Sequence, residues 1–432
     1  MLSFSLTKRL PTGSSCISNR LRIGRIARYI TQVTQEMIFF NQKRELFKFK
    51  NAFSAISELH IILGPPSTRK TALVHEVTSK GDFNPLYINY HEGQFDIPER
   101  IYDSISSQFE PFFKKYTDLF KKLFKKGEVS YMMNDIQLKV KLFGMDPFRE
   151  KGITPNDISK LLDNIGNAFP SWTHWNGYNI PPPILVIDEA NKFSQLGCSE
   201  SGEILLKSIL DWMVVNKKEK RCFNIVLTSF GSFFFNWIVN LVHILHATPY
   251  VVGDLNKEEA EEYFETQVLP QYEYKELQGK FDHICKITGT HMLIIDKYVK
   301  EYKNYDGKFK DSKFSVYGSE YNKLKCGFYS KRLRHSDKPN PALWKDYDLI
   351  KTMEAIVKAE NQKYILEDDL IKEIGSEKVD SLVDYNFLHH RPTTQFANDI
   401  TDPPDKVILI AMNQPSVRAM EHLLSKLSPS KK

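Results

Sequence analysis

The stretch HIILGPPSTRKTALVHEV, residues 60–77, passes from an apolar run through a turn into a helical pattern. The residues from His60 to Leu63 predict a buried strand, Gly64 opens the turn, and Lys70 begins a helix. Backbone N–H groups converge where such a loop enters a helix, and the helix dipole adds partial positive charge at the same place. The stretch therefore predicts a binding place for an anion at the end of a buried strand.

Further apolar runs alternate with helical patterns beyond this stretch. The later predicted strands lie in 85–90, 181–193, 222–230 and 248–255, and predicted helices at 70–79 and 97–109 follow the first two strands. These strands lack polar alternation, as strands do when helices cover both faces of a sheet. The predicted fold class is therefore α/β, with a parallel and right-handed sheet.

The loop after the first strand departs at one position from the phosphate-binding pattern G-x-x-x-x-G-K-[ST]. In that pattern Lys70 would reach the β- and γ-phosphates of a nucleotide, and the Thr71 hydroxyl would ligate Mg²⁺. The residues that would surround the phosphates before the lysine are Gly64, Pro65, Pro66, Ser67, Thr68 and Arg69.

Arg69 stands where the pattern has glycine. If that position requires a positive φ, a residue with a side chain costs roughly 1–2 kcal/mol, which would weaken binding about tenfold. If φ is negative, the cost is smaller, and the guanidinium adds positive charge beside the polyphosphate. Both a working hydrolase and a slow or inactive one are therefore open.

An acidic pair strengthens the nucleotide interpretation. The run ILVIDEA, residues 184–190, places Asp188 and Glu189 at the carboxyl end of another apolar strand. Open α/β sheets bind ligands at this edge, so we expect the loop and the acidic pair to meet there. Asp188 would hold the magnesium through its water shell, and Glu189 would polarise an attacking water.

These motifs resemble those of the AAA+/STAND-type P-loop ATPases, particularly the archaeal-type ATPase family that is also expanded in some fungi. The resemblance covers about residues 37–300. The segment FFNQKREL, residues 39–46, is similar to that family's F-V-G-R-x-x-E-L entry segment, whose backbone lies beside the adenine, with Asn41 and Gln42 in place of Gly-Arg. The resemblance implies a P-loop NTPase core that binds ATP with Mg²⁺.

Further segments match the same family. IVLTSF (225–230) falls where the family has its first sensor strand, so either Thr228 or Ser229 would orient the attacking water, or would merely cap the next element. VVGDLNKEEAEEYF (251–264) is similar to the opening of the family's helical lid, and Gly289 falls at a turn or helix entry of that lid. No arginine matches the lid cation or a trans-acting arginine finger, so vigorous turnover and ring assembly stay open.

Together, motifs and resemblance divide the chain into five segments. They are a basic tail or targeting segment at 1–36, a P-loop NTPase core at 37–250 with a helical insertion at about 110–180, a helical lid at 251–302, a basic connector at 303–344, and a C-terminal, winged-helix-like domain at 345–432. The family often follows its lid with a winged-helix domain, which fits the last assignment.

The composition limits the cellular compartments in which the protein is expected. No apolar run approaches the roughly 18 residues of a membrane-spanning helix, so we expect a soluble protein. The five cysteines are odd in number and scattered, which favours a reduced intracellular compartment. The first 35 residues have six Lys and Arg but no Asp or Glu, a pattern of a disordered basic tail or of a mitochondrial transit peptide. We expect a cytoplasmic location, with mitochondria as the alternative.

Two basic segments have alternative interpretations. FFKKYTDLFKKLFKK (112–126) predicts one amphipathic helix, which either covers the sheet or binds a membrane or a regulatory partner. The connector at 303–344 mixes lysines and arginines with Tyr317, Tyr321, Phe328 and Tyr329. That mixture is either a solvated linker with a few anchoring aromatics or a surface for nucleic acid.

Three functions follow as hypotheses. The first is an ATPase switch, in which Mg-ATP closes the lid on the core and hydrolysis reopens it. The second is a nucleotide-binding signalling or scaffold protein without hydrolysis, which the residue at position 69 and the missing finger favour. The third is a nucleic-acid-binding module. A protein partner or self-association is compatible with each.

Overall fold

The computed structural model describes residues 43–66, 68–89, 97–120, 152–218, 223–229, 247–329, 341–392, 397, 399–400 and 402–427. Several sequence predictions fall wholly or partly outside these residues. They include the basic segment 1–36, the first half of the entry segment 39–46, Ser67 of the loop, the middle of the insertion at 121–151, and residues 330–340 of the connector.

The α/β core alternates strands with helices in the predicted order. Its described elements are α1 (Lys43–Ser54), β1 (Leu59–Leu63), α2 (Lys70–Thr78), β2 (Asn84–Asn89), α3 (Pro98–Lys115), α4 (Pro155–Ala168), β3 (Pro183–Asp188), α5 (Glu200–Lys218), β4 (Asn224–Ser229) and β5 (Thr248–Val251). The largest differences from the predicted bounds are at α3, which runs beyond residue 109, and at β5, which stops before residue 255.

The five described strands of the core form one parallel sheet in the order β2-β3-β4-β1-β5. β4 separates β1 from β3, with Leu63 of β1 opposite Ser229 and Ile187 of β3 opposite Leu227. Every residue of β1, β3 and β4 is buried, which explains the lack of polar alternation. The α/β prediction is confirmed, and the carboxyl ends of β1, β3 and β4 meet at one edge.

The aromatic stripe of 112–126 packs into the core in the part that the structure describes. The predicted single helix is wrong, because α3 ends at Lys115 and a turn at Tyr116 precedes the next helical turn. Phe112, Phe113 and Phe120 are buried together against Phe169. These side chains hold the insertion against the sheet, so they do not present an apolar face to a membrane or partner.

The lid segment follows β5 and is helical. It contains α6 (Lys257–Tyr263), a π-helical turn (Phe264–Val268), α7 (Leu269–Tyr272), α8 (Phe281–Thr288) and α9 (Met292–Asn304). Asn256 caps α6, since its Oδ1 accepts a hydrogen bond from Glu259 N at 2.8 Å while the Glu259 carboxylate accepts from Asn256 N at 3.3 Å. This capping box starts the segment where the sequence predicts a helix.

The C-terminal module has its own small sheet and hydrophobic core. Its described elements are α10 (Ser315–Gly327), α11 (Asp346–Lys358), β6 (Ile365–Leu366), α12 (Glu367–Ile374), α13 (Ser376–Asp384), β7 (Leu388–Arg391), β8 (Ile408–Ala411) and α14 (Gln414–Leu427). The strands pair antiparallel in the order β6-β8-β7. From α11 onwards, the order helix, strand, helix, helix, strand, strand suits a winged helix, an assignment that stays a prediction.

The described part of the segment 303–344, residues 303–329 and 341–344, is not wholly irregular. It contains α10, which packs on α14, and Leu324 belongs to the core of the C-terminal module. Tyr317 stacks with His422 of α14, the Tyr321 ring contacts the same histidine at a tilt, and Phe328 packs against the same core. The sequence hides this helix because its apolar positions are tyrosines spaced among lysines. These aromatic rings are therefore engaged in packing.

No helix among the described residues combines the length and the apolar character needed to cross a membrane.

Candidate nucleotide site

The loop 64–71 leaves the sheet edge between β1 and α2. Gly64 is tightly enclosed there, because a Cβ at this position would lie 2.2 Å from Val252 O. Thr68 closes the turn, with its hydroxyl donating to Pro65 O at 2.9 Å. The loop is therefore compact and excludes any side chain at Gly64 itself.

Arg69 holds the backbone conformation that glycine normally provides. Its φ and ψ are 64° and 21°, in the left-handed region. The first of the two alternatives left by the sequence therefore applies, and the arginine costs roughly 1–2 kcal/mol of backbone strain. The loop enters α2 as it would with glycine, so the substitution preserves the course of the backbone.

The Arg69 side chain is buried among charges of the lid segment and α1. Burial lowers its pKa to about 10, against the opposing effects of Asp254, Tyr263, Glu259 and Glu45. The carboxylates of Asp188 and Glu189 influence instead the pKa of the neighbouring Lys70. The charges that act on the Arg69 guanidinium therefore come mainly from the lid segment.

Lys70 folds back over the loop. Its Nζ donates to Gly64 O at 3.0 Å, to Pro65 O at 2.8 Å and to Thr68 Oγ1 at 3.3 Å. Burial lowers the pKa of Lys70 to about 8, although the carboxylates of Glu189, Asp188 and Asp254 favour its charged form. The ammonium is therefore held between the loop carbonyls and the acidic pair.

Asp188 is the centre of the contacts across the sheet edge. The Thr71 hydroxyl lies 2.9 Å from both Asp188 carboxylate oxygens, and the Thr228 hydroxyl donates to Asp188 Oδ1. Ser229, one residue further along β4, donates instead to Asn191 Oδ1 at 3.4 Å. The structure thus joins residues from α2, β3 and β4 that are far apart in sequence.

Glu189 begins a sharp turn out of β3. Its φ and ψ are 59° and 38°, and its carbonyl accepts a hydrogen bond from Lys192 N at 3.0 Å. Non-glycine residues in this region carry strain of about 1–3 kcal/mol and cluster at functional sites. The turn leaves the half-buried Glu189 close enough to influence Lys70 electrostatically.

The structure adds residues that the sequence analysis missed. His389 of β7 lies beside the loop, where burial and the cations Arg391 and Lys70 lower its pKa to about 3 while the Gly64 backbone opposes them. In the lid segment, His291 Nε2 lies 3.4 Å from Pro66 O. One signal was available, because the buried strand LHHR carries three consecutive polar residues.

Mg²⁺ fits the oxygen donors of this site. It prefers oxygen ligands and usually takes one or two from protein, with water and substrate phosphates completing its shell. The Thr71 hydroxyl and the Asp188 carboxylate supply such a pair, already 2.9 Å apart. Within the described residues there is no group of three or more His, Cys, Asp and Glu that could hold a metal without substrate.

The sheet order, the loop after β1 and the acidic end of β3 form an α/β fold that a solved Walker-type ATPase shares. In a comparison with solved structures, the Walker-type ATPase PABY2304 of Pyrococcus abyssi matches with a TM-score of 0.53 and 12% identity, over 89% of this chain and 96% of that one. This match shows the shared fold.

Two further proteins are similar to this chain, one over about half of its length and one only weakly. The ATP-binding protein MJ1076 of Methanocaldococcus jannaschii is 24% identical over 230 residues, which are 52% of this chain and 60% of that protein's length. The ORC2 protein of Aeropyrum pernix covers 90% of the chain at 10% identity with a TM-score of 0.37, a likeness too low to carry an argument. No protein-family model matches the chain.

Proposed function

We propose that the chain binds ATP at the loop 64–71 and uses it as a conformational switch, with Mg-dependent hydrolysis. The observation that carries the proposal is the hydrogen-bonded contact between Thr71 and Asp188, which lie 117 positions apart in the chain. Two facts support it further, namely the fold shared with a Walker-type ATPase and the ATP-binding name of the M. jannaschii relative.

Each side chain of the site has a role in this reaction that follows from its position. Lys70 leaves its loop carbonyls to bind the β- and γ-phosphates, while backbone amides of the loop bind the same oxygens. Thr71 and Asp188 hold Mg²⁺, which neutralises phosphate charge when bound. Glu189 accepts a proton from the attacking water, and Thr228 or Ser229 orients that water.

One observation favours the second candidate, a nucleotide-binding protein that does not hydrolyse. Thr228 is buried and its hydroxyl is engaged by Asp188, which leaves it poorly placed to hold a water. A protein of this kind would use nucleotide only to stabilise one conformation.

We do not extend the proposal to nucleic acid. Three of the four aromatic residues that the hypothesis names are engaged in packing, Tyr317 and Tyr321 on α14 and Phe328 on the C-terminal core, whereas Tyr329 is exposed. Lys323 is half-buried, and its ammonium donates to Asn386 O at 2.6 Å. The helices α12 and α13, residues 367–384, carry seven acidic and two basic residues, which opposes a polyanion.

Thermal or urea unfolding with and without Mg-ATP tests binding. Ligand at about a hundred times its dissociation constant adds roughly 2.7 kcal/mol of stability to a protein that binds it only when folded. We expect this gain for the wild type and for Lys80→Ala, a matched control on an exposed lysine after α2, but none for Lys70→Ala. Equal gains in all three would contradict the assigned site.

Phosphate release separates the two candidates. Glu189→Gln keeps the size of the side chain but removes the base, so a hydrolase should lose about 10²–10⁴-fold in rate while still binding ATP. Phosphate release at the background level in both wild type and variant, together with normal binding, would establish the non-hydrolysing alternative.

A further inference from the structure

A cavity of about 300 Å³ lies between the lid segment and the C-terminal module. On the lid side it is lined by α6, α8 and the turn after α8, and on the other side by α11, β8 and α14. Of the described core residues, Pro65 alone lines it, whereas Thr71 and Asp188 do not. Small-molecule sites measure about 300–1,000 Å³, so the cavity has room for a small ligand that does not occupy the candidate metal site.

The C-terminal module gives the cavity an apolar wall. Ile356 of α11, Ile410 of β8 and Val417 of α14 line it, and each is at most 9% exposed. Their packing into the module fixes the shape of this wall. An apolar group placed against it leaves water, which favours binding.

The cavity also has a small excess of positive charge. Among the described residues that line it, five are basic and four are acidic. Three of the basic residues are paired with acidic ones, as Arg391–Asp399, Arg418–Glu360 and Lys257–Asp282. The fourth acidic residue, Asp254, acts on Arg69 and Lys70 at the loop. An excess of one positive charge suits a ligand with a singly charged anionic group.

Two lysines of the cavity have no carboxylate partner among the described residues. They are Lys286 of α8 and Lys363, which follows α11, so each wall contributes one. Both side chains are exposed. Lys363 Nζ donates to the backbone oxygen of Asp399 at 3.0 Å, a contact that leaves its charge unpaired. A carboxylate can accept hydrogen bonds from two such ammonium groups.

Cys285 lies where the two walls approach each other. Burial raises the pKa of its half-buried thiol, while Lys363 of the C-terminal module and Lys257 of the lid segment act in the opposite direction. Asp282 and Glu261 have smaller effects that add to that of burial. Lysines of both walls are therefore close enough to influence one thiol, which places this end of the cavity in a basic environment.

We propose that the cavity binds a small amphipathic acid, with its carboxylate on Lys286 and Lys363 beside Cys285 and its apolar chain along Ile356, Ile410 and Val417. Such a ligand contacts both walls, so it stabilises the packing of the lid segment on the C-terminal module. The proposal does not rest on nucleotide binding, because the contacts that carry it lie outside the acidic end of β3.

Alkylation of the cysteines of the full chain, followed residue by residue with mass spectrometry, tests the site. Decanoate is the probe, at about ten times its dissociation constant. We expect it to slow alkylation of Cys285 about tenfold, because only the empty cavity exposes the thiol. Cys326, which is exposed on α10 and does not line the cavity, is the internal control and should react at its usual rate.

Two matched compounds separate the parts of the ligand. Decyltrimethylammonium has the same chain with the opposite charge, and acetate has the carboxylate without the chain. At the concentration at which decanoate protects Cys285, neither compound should protect it. Protection by the cation would overturn the acidic class of ligand, and protection by acetate would overturn the role of the apolar wall.

Substitution of the lysines tests the carboxylate contacts. Lys286→Gln and Lys363→Asn each remove one charge, and asparagine suits the φ of 66° at position 363. Each variant should need about tenfold or more decanoate for the same protection, because a charge-assisted hydrogen bond is lost. Lys358→Gln, at an exposed lysine of α11 outside the cavity, should behave like the wild type.

Each protein is compared with and without decanoate, so a changed reactivity of the thiol itself does not affect the result. Unprotected Cys285 in the wild type would overturn the site, as would equal protection of Cys326, which would indicate detergent-like association. Wild-type protection in both lysine variants would overturn the carboxylate contacts. Since no measurement contains ATP, a failure of ATP binding refutes the proposed function and leaves this result unchanged.

Discussion

Two residues with side chains adopt left-handed backbone at the candidate site. They are Arg69, which enters α2, and Glu189, which leaves β3. Each carries strain of about 1–3 kcal/mol. Arg69 precedes Lys70, which contacts the loop carbonyls, and Glu189 follows Asp188, which contacts Thr71. The strain at Arg69 is part of the folded loop, so it reduces folding stability more than nucleotide affinity.

Replacing Arg69 by glycine and by alanine isolates this strain, because both substitutions remove the same guanidinium. We expect the glycine variant to be more stable than the alanine variant by about 1 kcal/mol, since alanine keeps the left-handed cost. Urea unfolding measures the difference. An alanine variant as stable as the glycine variant would show that the loop relaxes to negative φ.

The lowered pKa of Lys70 predicts a pH dependence of ATP binding. Burial holds this pKa at about 8, against an ordinary value of 10.5. As pH rises through 8, the lysine loses its proton in the folded protein, whereas a bound polyanion favours the protonated form. Binding should therefore take up a proton at pH 8.5–9, and affinity should fall as pH rises from 8 to 10.

Calorimetry in two buffers of different ionisation enthalpy measures this proton uptake. Lys70→Met should abolish the buffer dependence, whereas Lys80→Ala should keep it. A binding enthalpy that is independent of buffer at pH 9 in the wild type would mean that the lysine stays charged before ATP binds.

At the scale of elements, the order of the strands decides which hydroxyl reaches Asp188. β4 lies beside β3, so Thr228 donates to Asp188 while Ser229 reaches Asn191 in the following turn. The two residues are equivalent in the sequence, but only one is bonded to the acid that faces Thr71.

Thr228→Val and Ser229→Ala should therefore differ in stability. A hydrogen bond to a charged group contributes about 1.5–3 kcal/mol, so we expect the valine variant to lose about 2 kcal/mol. A hydrogen bond between uncharged groups, such as that from Ser229 to Asn191, contributes only about 0.5–1.5 kcal/mol, so we expect the alanine variant to lose less than the valine variant. Urea unfolding without added Mg²⁺ checks both, and equal losses would contradict the role given to β4.

At the scale of the whole molecule, the core and the C-terminal module have separate hydrophobic cores. One surrounds the five-stranded sheet and includes Trp175 and Trp212, and the other includes Trp344. Cores that share few contacts unfold independently, as multi-domain proteins commonly do.

We therefore expect two unfolding transitions in urea, and Mg-ATP should shift only that of the sheet. Tryptophan fluorescence resolves them, because Trp344→Phe removes the signal of the C-terminal module and leaves that of the core. One coincident transition, shifted as a whole by Mg-ATP, would show that the two modules unfold together.

The sequence by itself determined the strands of the core and the sheet edge at which the candidate site lies. The strands, the loop and the acidic pair can be predicted because each depends on local signals, namely apolar runs, a turn and a helix start. The contact between Thr71 and Asp188 also follows from a general rule, since parallel strands bring their carboxyl ends to one edge.

Only the tertiary structure decided the rest. The dihedral of Arg69 depends on the loop around it, and the packing of α10 depends on α14, which lies about 100 residues away. The close approach of Asp399 to Gly253 is equally hidden, because the two residues lie in distant parts of the chain. Such contacts join residues distant in the chain, and no local pattern of apolar and polar residues encodes them.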